Sequence, residues 1–140
     1  MRLMLFGCTG FVGRELLPLL LQAGHQLTVV SRRLARGYDA ERADGRLIWM
    51  QFDPASSSTW TDAGLLDALN QADAVVNLAG EPIAEKRCTA THRQLIETRR
   101  LETTSQLVKA IEACATPPKL LVNASAIRFY GSSLDKRFLE

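Results

Sequence analysis

The amino-acid sequence predicts an α/β fold, a doubly wound parallel sheet of about five strands in the order 3-2-1-4-5 with helices on both faces. Three observations carry this expectation. Short apolar runs alternate with stretches of helical periodicity along the chain. A glycine loop, Gly7-Cys8-Thr9-Gly10-Phe11-Val12-Gly13, joins the first run to the first helical stretch. The residues that follow successive runs, namely the glycine loop, Ser31, Asp53, Gly80 and Ser125, all fall at strand carboxyl ends, which right-handed crossovers bring to one edge of a parallel sheet.

Arg2 to Phe6 is apolar without alternation, as suits a strand buried on both faces. Phe11 to Ala23 reads as a helix with Val12, Leu16, Leu19, Leu20 and Ala23 on its apolar face and Gly24 as its left-handed cap. Pro18 within it would cost roughly 3 kcal/mol unless the start shifts or a kink relieves it. Gln26 to Val30 is the second strand, a polar loop covers Leu34 to Arg46, and Leu47 to Phe52 is the third strand. A helix over Asp62 to Asn70 carries Leu65, Leu66 and Leu69, and Ala74 to Leu78 is the fourth strand. Thr91 to Ala115 is a long helix with Leu95, Ile96, Leu101, Leu107, Val108, Ile111 and Cys114 as its apolar residues, stopped by Pro117-Pro118. Leu120 to Asn123 begins a fifth strand that leads to Ser125.

Composition bounds the function. A length of 140 residues with 46% hydrophobic and 23% charged suits one globular domain with a real core. A net charge of +2, with no basic block interleaved with aromatics, argues against a nucleic-acid partner. Cys8, Cys88 and Cys114 are widely spaced, and His25 and His92 lack ligand spacing, so neither a disulfide framework nor a metal site is expected. No apolar run is long enough for a membrane span, and a soluble cytoplasmic protein is the expectation.

The chemistry gathers at the strand ends. Gly7, Gly10 and Gly13 lie between a strand and a helix, where backbone can approach a pyrophosphate and helix N–H groups can hold its charge; Thr9, Phe11 and Val12 complete that loop. The alternative is a plain strand-to-helix turn. The second strand ends in Ser31-Arg32-Arg33, where a carboxylate would bind the ribose hydroxyls of NAD; Arg32, helped by Ser31, instead suits the additional phosphate of NADP, unless the segment is simply a solvated loop. Asp53 either accepts a hydrogen bond from an adenine amino group or is a turn residue before Pro54. Leu78, Ala79 and Gly80 at the end of the fourth strand either let backbone pass close to the ribose and nicotinamide or form a plain strand-ending turn. Arg87, Arg93, Arg99 and Arg100 make the long helix basic, for a substrate phosphate or as a solvated face.

Gly7 to Gly13, Ser31-Arg32, Asn77-Leu78-Ala79-Gly80-Glu81-Pro82-Ile83 and Ser125-Ala126 followed by Phe129-Tyr130-Gly131 together resemble the NAD(P)-dependent epimerase/dehydratase proteins, extended short-chain dehydrogenases/reductases with a Rossmann-like fold. Within them the chain is similar to a subgroup called epimerase family proteins, related to nucleotide-sugar epimerases. The resemblance runs to about Gly131. It implies an NAD(P)-binding domain over residues 1–131 and a tail over 132–140 outside the family pattern. It also implies NADP, with NAD as the alternative, held by Gly7, Thr9, Gly10, Phe11, Val12, Gly13, Ser31, Arg32, Asp53, Leu78, Ala79 and Gly80, with Ser125 in the position of the active-site serine. Cys88 departs from the subgroup's tryptophan, and Thr98 from its serine. Such families run to about twice this length, so the remaining strands and the catalytic half are expected beyond this sequence.

The family's chemistry needs a Tyr-x-x-x-Lys pair, which these residues lack: Tyr130 is followed four residues on by Leu134. Tyr130 is therefore expected to line the pocket. Three expectations stay open: the cofactor part of an NADP-dependent nucleotide-sugar epimerase or oxidoreductase, a non-catalytic NADP-binding or sensing module, and an inactive shortened sequence. Self-association through an exposed sheet edge is expected of a sheet that stops after its fifth strand.

Overall fold

In the computed structural model, described over residues 1–33, 37–80 and 90–125, five parallel strands form one sheet. They are β1 (Arg2–Phe6), β2 (Gln26–Ser31), β3 (Leu47–Gln51), β4 (Ala74–Asn77) and β5 (Leu120–Asn123). Their spatial order is β3-β2-β1-β4-β5, as the sequence predicts. The chain steps outward from β1 in one direction, then returns to the other side of it at β4, so the switch point lies between β1 and β4.

The helices are α1 (Phe11–Gln22), α2 (Asp39–Ala43), α3 (Ala63–Gln71) and α4 (Ala90–Glu112), with one 3-10 turn over Ser57–Thr61. Alternate side chains of β1 face opposite layers. Leu3 and Leu5 join Leu17 and Leu21 of α1, while Met4 and Phe6 join Leu65 and Leu69 of α3 and Leu107 and Ala110 of α4. Met4, Leu5 and Phe6 are all fully buried, and each contributes on the order of 2 kcal/mol of hydrophobic stabilisation. Phe6 also stacks on Trp60, with ring centroids 5.6 Å apart.

Several local expectations need correction. The buried face of α1 is Gly13, Leu17 and Leu21, whereas Val12 and Leu19 are exposed. At Gly13 the helix lies directly on the Cys8 backbone, and the core residues fall one and two turns beyond it. The start of α1 does not shift around Pro18; the carbonyl of Arg14 forgoes its donor four residues on. The helix ends in a paired cap: His25 N donates to Leu20 O at 3.1 Å, Gly24 N donates to Leu21 O at 3.0 Å, and Gly24 takes a φ of 79°. The loop expected between β2 and β3 contains α2, too short for an apolar period to reveal it. In α4, Leu101 is exposed, and Thr103, Leu107 and Ala110 form the buried face. Tyr130, Cys88 and residues 132–140 lie outside the described residues.

Candidate functional site

The three glycines of the first loop do different work. Gly7 adopts a φ of 76°, and a Cβ there would stand 2.5 Å from Ala79 N, so the loop is pinned against the end of β4. A Cβ on Gly13 would stand 2.6 Å from both the carbonyl carbon and oxygen of Cys8, so Gly13 lets α1 lie directly on the loop. Gly10 differs. Among the described residues a Cβ there would meet only Gly7 O, at an ordinary 3.5 Å, so none of them requires a glycine at this position. The described residues leave space over Gly10.

The start of α1 faces that space. Arg14 N is the first donor of the helix ladder, bonding Gly10 O at 3.0 Å, so the N–H groups of Phe11, Val12 and Gly13 precede it. Gly10 offers no side-chain cap and the first turn has no acidic residue. The positive end of the helix dipole is thereby open to an anion. Arg14 Nε donates to Thr9 O at 3.1 Å, which tethers the loop and sets a guanidinium beside it. Phe11 and Val12 are exposed, and Thr9 is half-buried. Burial pushes the Cys8 thiol up to about 12, so this loop cysteine stays protonated and is no nucleophile.

At the end of β2, Ser31 is buried and its hydroxyl is engaged twice. It donates to Arg33 O and accepts from Trp49 Nε1 at 2.9 Å. The hydroxyl hydrogen is therefore spent on shaping the turn through Arg32 and Arg33. Gln51 Nε2 adds a bond to Arg32 O at 3.2 Å, leaving the Arg32 side chain on the surface. Two residues of β3 thus fix the backbone that carries Arg32.

Asp53 closes a turn after β3: its Oδ1 accepts from Ala55 N at 3.1 Å and its carbonyl from Ser56 N at 2.9 Å. Its Oδ2 faces Arg99 Nη1 of α4 at 3.5 Å. Beyond β4, Leu78 packs into the α1 layer and Ala79 into the opposite one, which carries the backbone across the sheet edge. Asn77 is buried. Its Nδ2 donates to Asn123 Oδ1 at 2.7 Å and its Oδ1 accepts from Ala79 N at 3.1 Å, tying the ends of β4 and β5 together. Gly80 is exposed, and Ser125 lies exposed two residues past β5. The glycine loop, the β2 end, Asp53, Leu78 to Gly80 and Ser125 therefore share the carboxyl edge, as the sequence predicts. Trp49, Gln51 and the Asn77–Asn123 pair were not singled out from sequence, because each acts through a partner distant along the chain; Arg14, whose partner Thr9 is five residues away, was not singled out either. Among the described residues no cluster of potential metal ligands exists, and no helix is long and apolar enough to cross a membrane.

The model of the NAD dependent epimerase/dehydratase family matches residues 3–138. The chain belongs to that family. This epimerase/dehydratase chain is 35% identical to the human epimerase family protein SDR39U1, over all of its own length and 42% of that protein. It is 32% identical to epimerase family protein YfhF of Bacillus subtilis, again over all of this chain and 42% of the relative. The crystal structure of human SDR39U1 isoform 2 with NADPH superposes with a TM-score of 0.66 at 32% identity, covering 99% of this chain and 41% of that one. The chain thus spans about two fifths of the length of these relatives.

Proposed function

We propose that this chain is the NADP-binding part of an NAD(P)-dependent oxidoreductase or epimerase that acts on a nucleotide sugar. The observation that carries the reading is Gly10, a glycine that no contact among the described residues demands, set before a helix N-terminus with no side-chain cap and no acidic residue in its first turn. That cradle fits a dinucleotide pyrophosphate. Phe11, Val12 and Gly13 would supply the N–H donors, and Arg32 would take the additional phosphate that distinguishes NADP from NAD. Ser31 contributes by holding the Arg32 turn. Asp53 would accept from the adenine, and Leu78 to Gly80 would pass beneath the ribose and nicotinamide. The bound cofactor supplies hydride transfer. Ser125 would donate its hydroxyl hydrogen to a substrate oxygen, and Tyr130 would line the pocket.

NADP binding is supported by the presence of NADPH in the solved human relative. The nucleotide-sugar substrate rests on the resemblance to epimerases. A domain over residues 1–131 with a tail over 132–140, and a cytoplasmic setting for widely spaced cysteines, complete the proposal. The test is titration of the chain with NADPH and NADH, followed by fluorescence and melting temperature, beside Arg32→Ala. NADPH is expected to bind more tightly, and the variant to lose that preference. Failure of both dinucleotides to bind would overturn the reading. The alternative reading is a module that binds NADP in the same cradle without turnover. That reading predicts NADPH binding with no NADPH oxidation when sugar nucleotides are added.

A further inference from the structure

Arg99 and Arg100 are consecutive on α4, yet their guanidinium groups meet different surroundings. Arg99 faces Asp53 at the end of β3. Arg100 reaches the end of β4 instead, where its Nη2 lies 3.3 Å from the point at which a Cβ on Gly80 would stand. Its Nη1 is buried without a hydrogen-bond partner, and no ion pair to Arg100 exists among the described residues. A guanidinium stays charged at any physiological pH and carries five donors in a planar fork. Burying one of its nitrogens unsatisfied is unfavourable, and such a group calls for a ligand that completes it.

Its place narrows the ligand. Gly80 follows Ala79, whose backbone nitrogen closes against Gly7, so Arg100 borders the same cleft as the glycine loop. It does so from the α4 layer, whereas α1 borders the cleft from the opposite layer. A planar fork here matches two oxygens of a phosphate group.

We infer that Arg100 is a phosphate-binding group of this cleft, taking either the pyrophosphate of the dinucleotide or the phosphate of a substrate. The inference rests on the dinucleotide-binding reading above and adds a second cationic anchor, distinct in role from Arg32. Arg32 distinguishes NADP from NAD; Arg100 does not.

The experiment compares the full chain with Arg100→Met, which keeps the length of the side chain but removes charge and donors, and Arg100→Lys, which keeps only the charge. Each is titrated with NADPH, NADH, adenosine 2′-phosphate and inorganic pyrophosphate, and with UDP in the presence of NADPH, and melting temperature is recorded with and without ligand. Removal of an unsatisfied cation should leave the unliganded Arg100→Met chain melting no lower than the parent. NADPH and NADH should both bind it about tenfold more weakly, with adenosine 2′-phosphate unaffected and Arg100→Lys in between. Where Arg100→Met fails to fold, Arg100→Lys decides, with weakened binding of both dinucleotides as the supporting result. Unchanged dinucleotide affinity, together with loss of the extra stabilisation that UDP gives the NADPH complex, would assign Arg100 to a substrate phosphate and also support the inference. Unchanged response to every ligand would overturn it. If the parent chain binds no dinucleotide, the reading above fails separately, and inorganic pyrophosphate alone judges Arg100. Protection of the parent but not of Arg100→Met supports the inference, and equal or absent protection refutes it.

Discussion

The glycine loop and the β5 flank occupy the two sides of one switch point, yet they are built to different standards. At the loop, Gly7 and Gly13 sit so close to backbone that neither tolerates a methyl group, and β1 beneath them is buried on both faces. At the flank, β5 lies at the edge of the sheet with Leu120 55% and Val122 46% exposed, and Leu101 of α4 is 63% exposed. The first region is over-determined by the protein's own packing. The second presents apolar side chains to solvent and a guanidinium nitrogen without a partner. The loop is thus held rigidly by the protein's own packing, while the β5 edge is left open by the described residues.

That contrast can be broken most sharply at Gly13. Gly13→Ala forces a Cβ onto the Cys8 backbone and should cost about 3 kcal/mol or more of stability in urea unfolding; a near-neutral result would mean that the loop is not over-packed. Next, Leu5→Ala in the buried strand should cost about 2–4 kcal/mol and Leu120→Ala on the flank less than about 1 kcal/mol, compared by the same denaturation. Equal costs would show that β5 is covered in solution.

Gly10→Ala sharpens the comparison within the loop itself. Its Cβ has room, so stability should change by less than about 0.5 kcal/mol, while NADPH affinity falls about tenfold or more by fluorescence titration. Weaker still is the self-association expected of an exposed edge: sedimentation should show a mass that rises with concentration, and Val122→Lys should abolish the rise.

The smallest effect is electrostatic. Asp73 Oδ2 accepts from Arg2 N at 2.6 Å, just before β4, and that bond holds its carboxyl below the ordinary 3.8. A depressed folded pKa gives stability that is present above the unfolded value and lost as pH falls through the folded one. Asp73→Asn keeps an acceptor but not the titration, so its melting temperature should fall less than the parent's between about pH 5 and pH 3.

The strand ends show how far the sequence reached. Gly7, Gly10 and Gly13 pointed to a strand–loop–helix junction with close backbone packing because a turn, a close approach and a helix start lie within seven consecutive residues. Alternation and the handedness of crossovers implied a parallel sheet, and the glycine loop selected the dinucleotide-type strand order. The face of α1 was legible only in part, since leucine-rich segments admit several faces and only contact with Cys8 selects Gly13, Leu17 and Leu21. Ser31 reads in sequence as a phosphate donor, but its hydrogen goes to Arg33 because Trp49, eighteen residues away, occupies its other side.

By itself, then, the sequence determined the parallel α/β architecture, the family and the edge on which the site lies, because local periodicity and a short motif encode them. Tertiary structure alone decided which glycine is open, that Asn77 meets Asn123, and that Arg99 is paired while Arg100 Nη1 is not. The physical reason is range. Backbone propensity acts over a few residues, whereas steric room and hydrogen-bond satisfaction depend on atoms that only folding brings together.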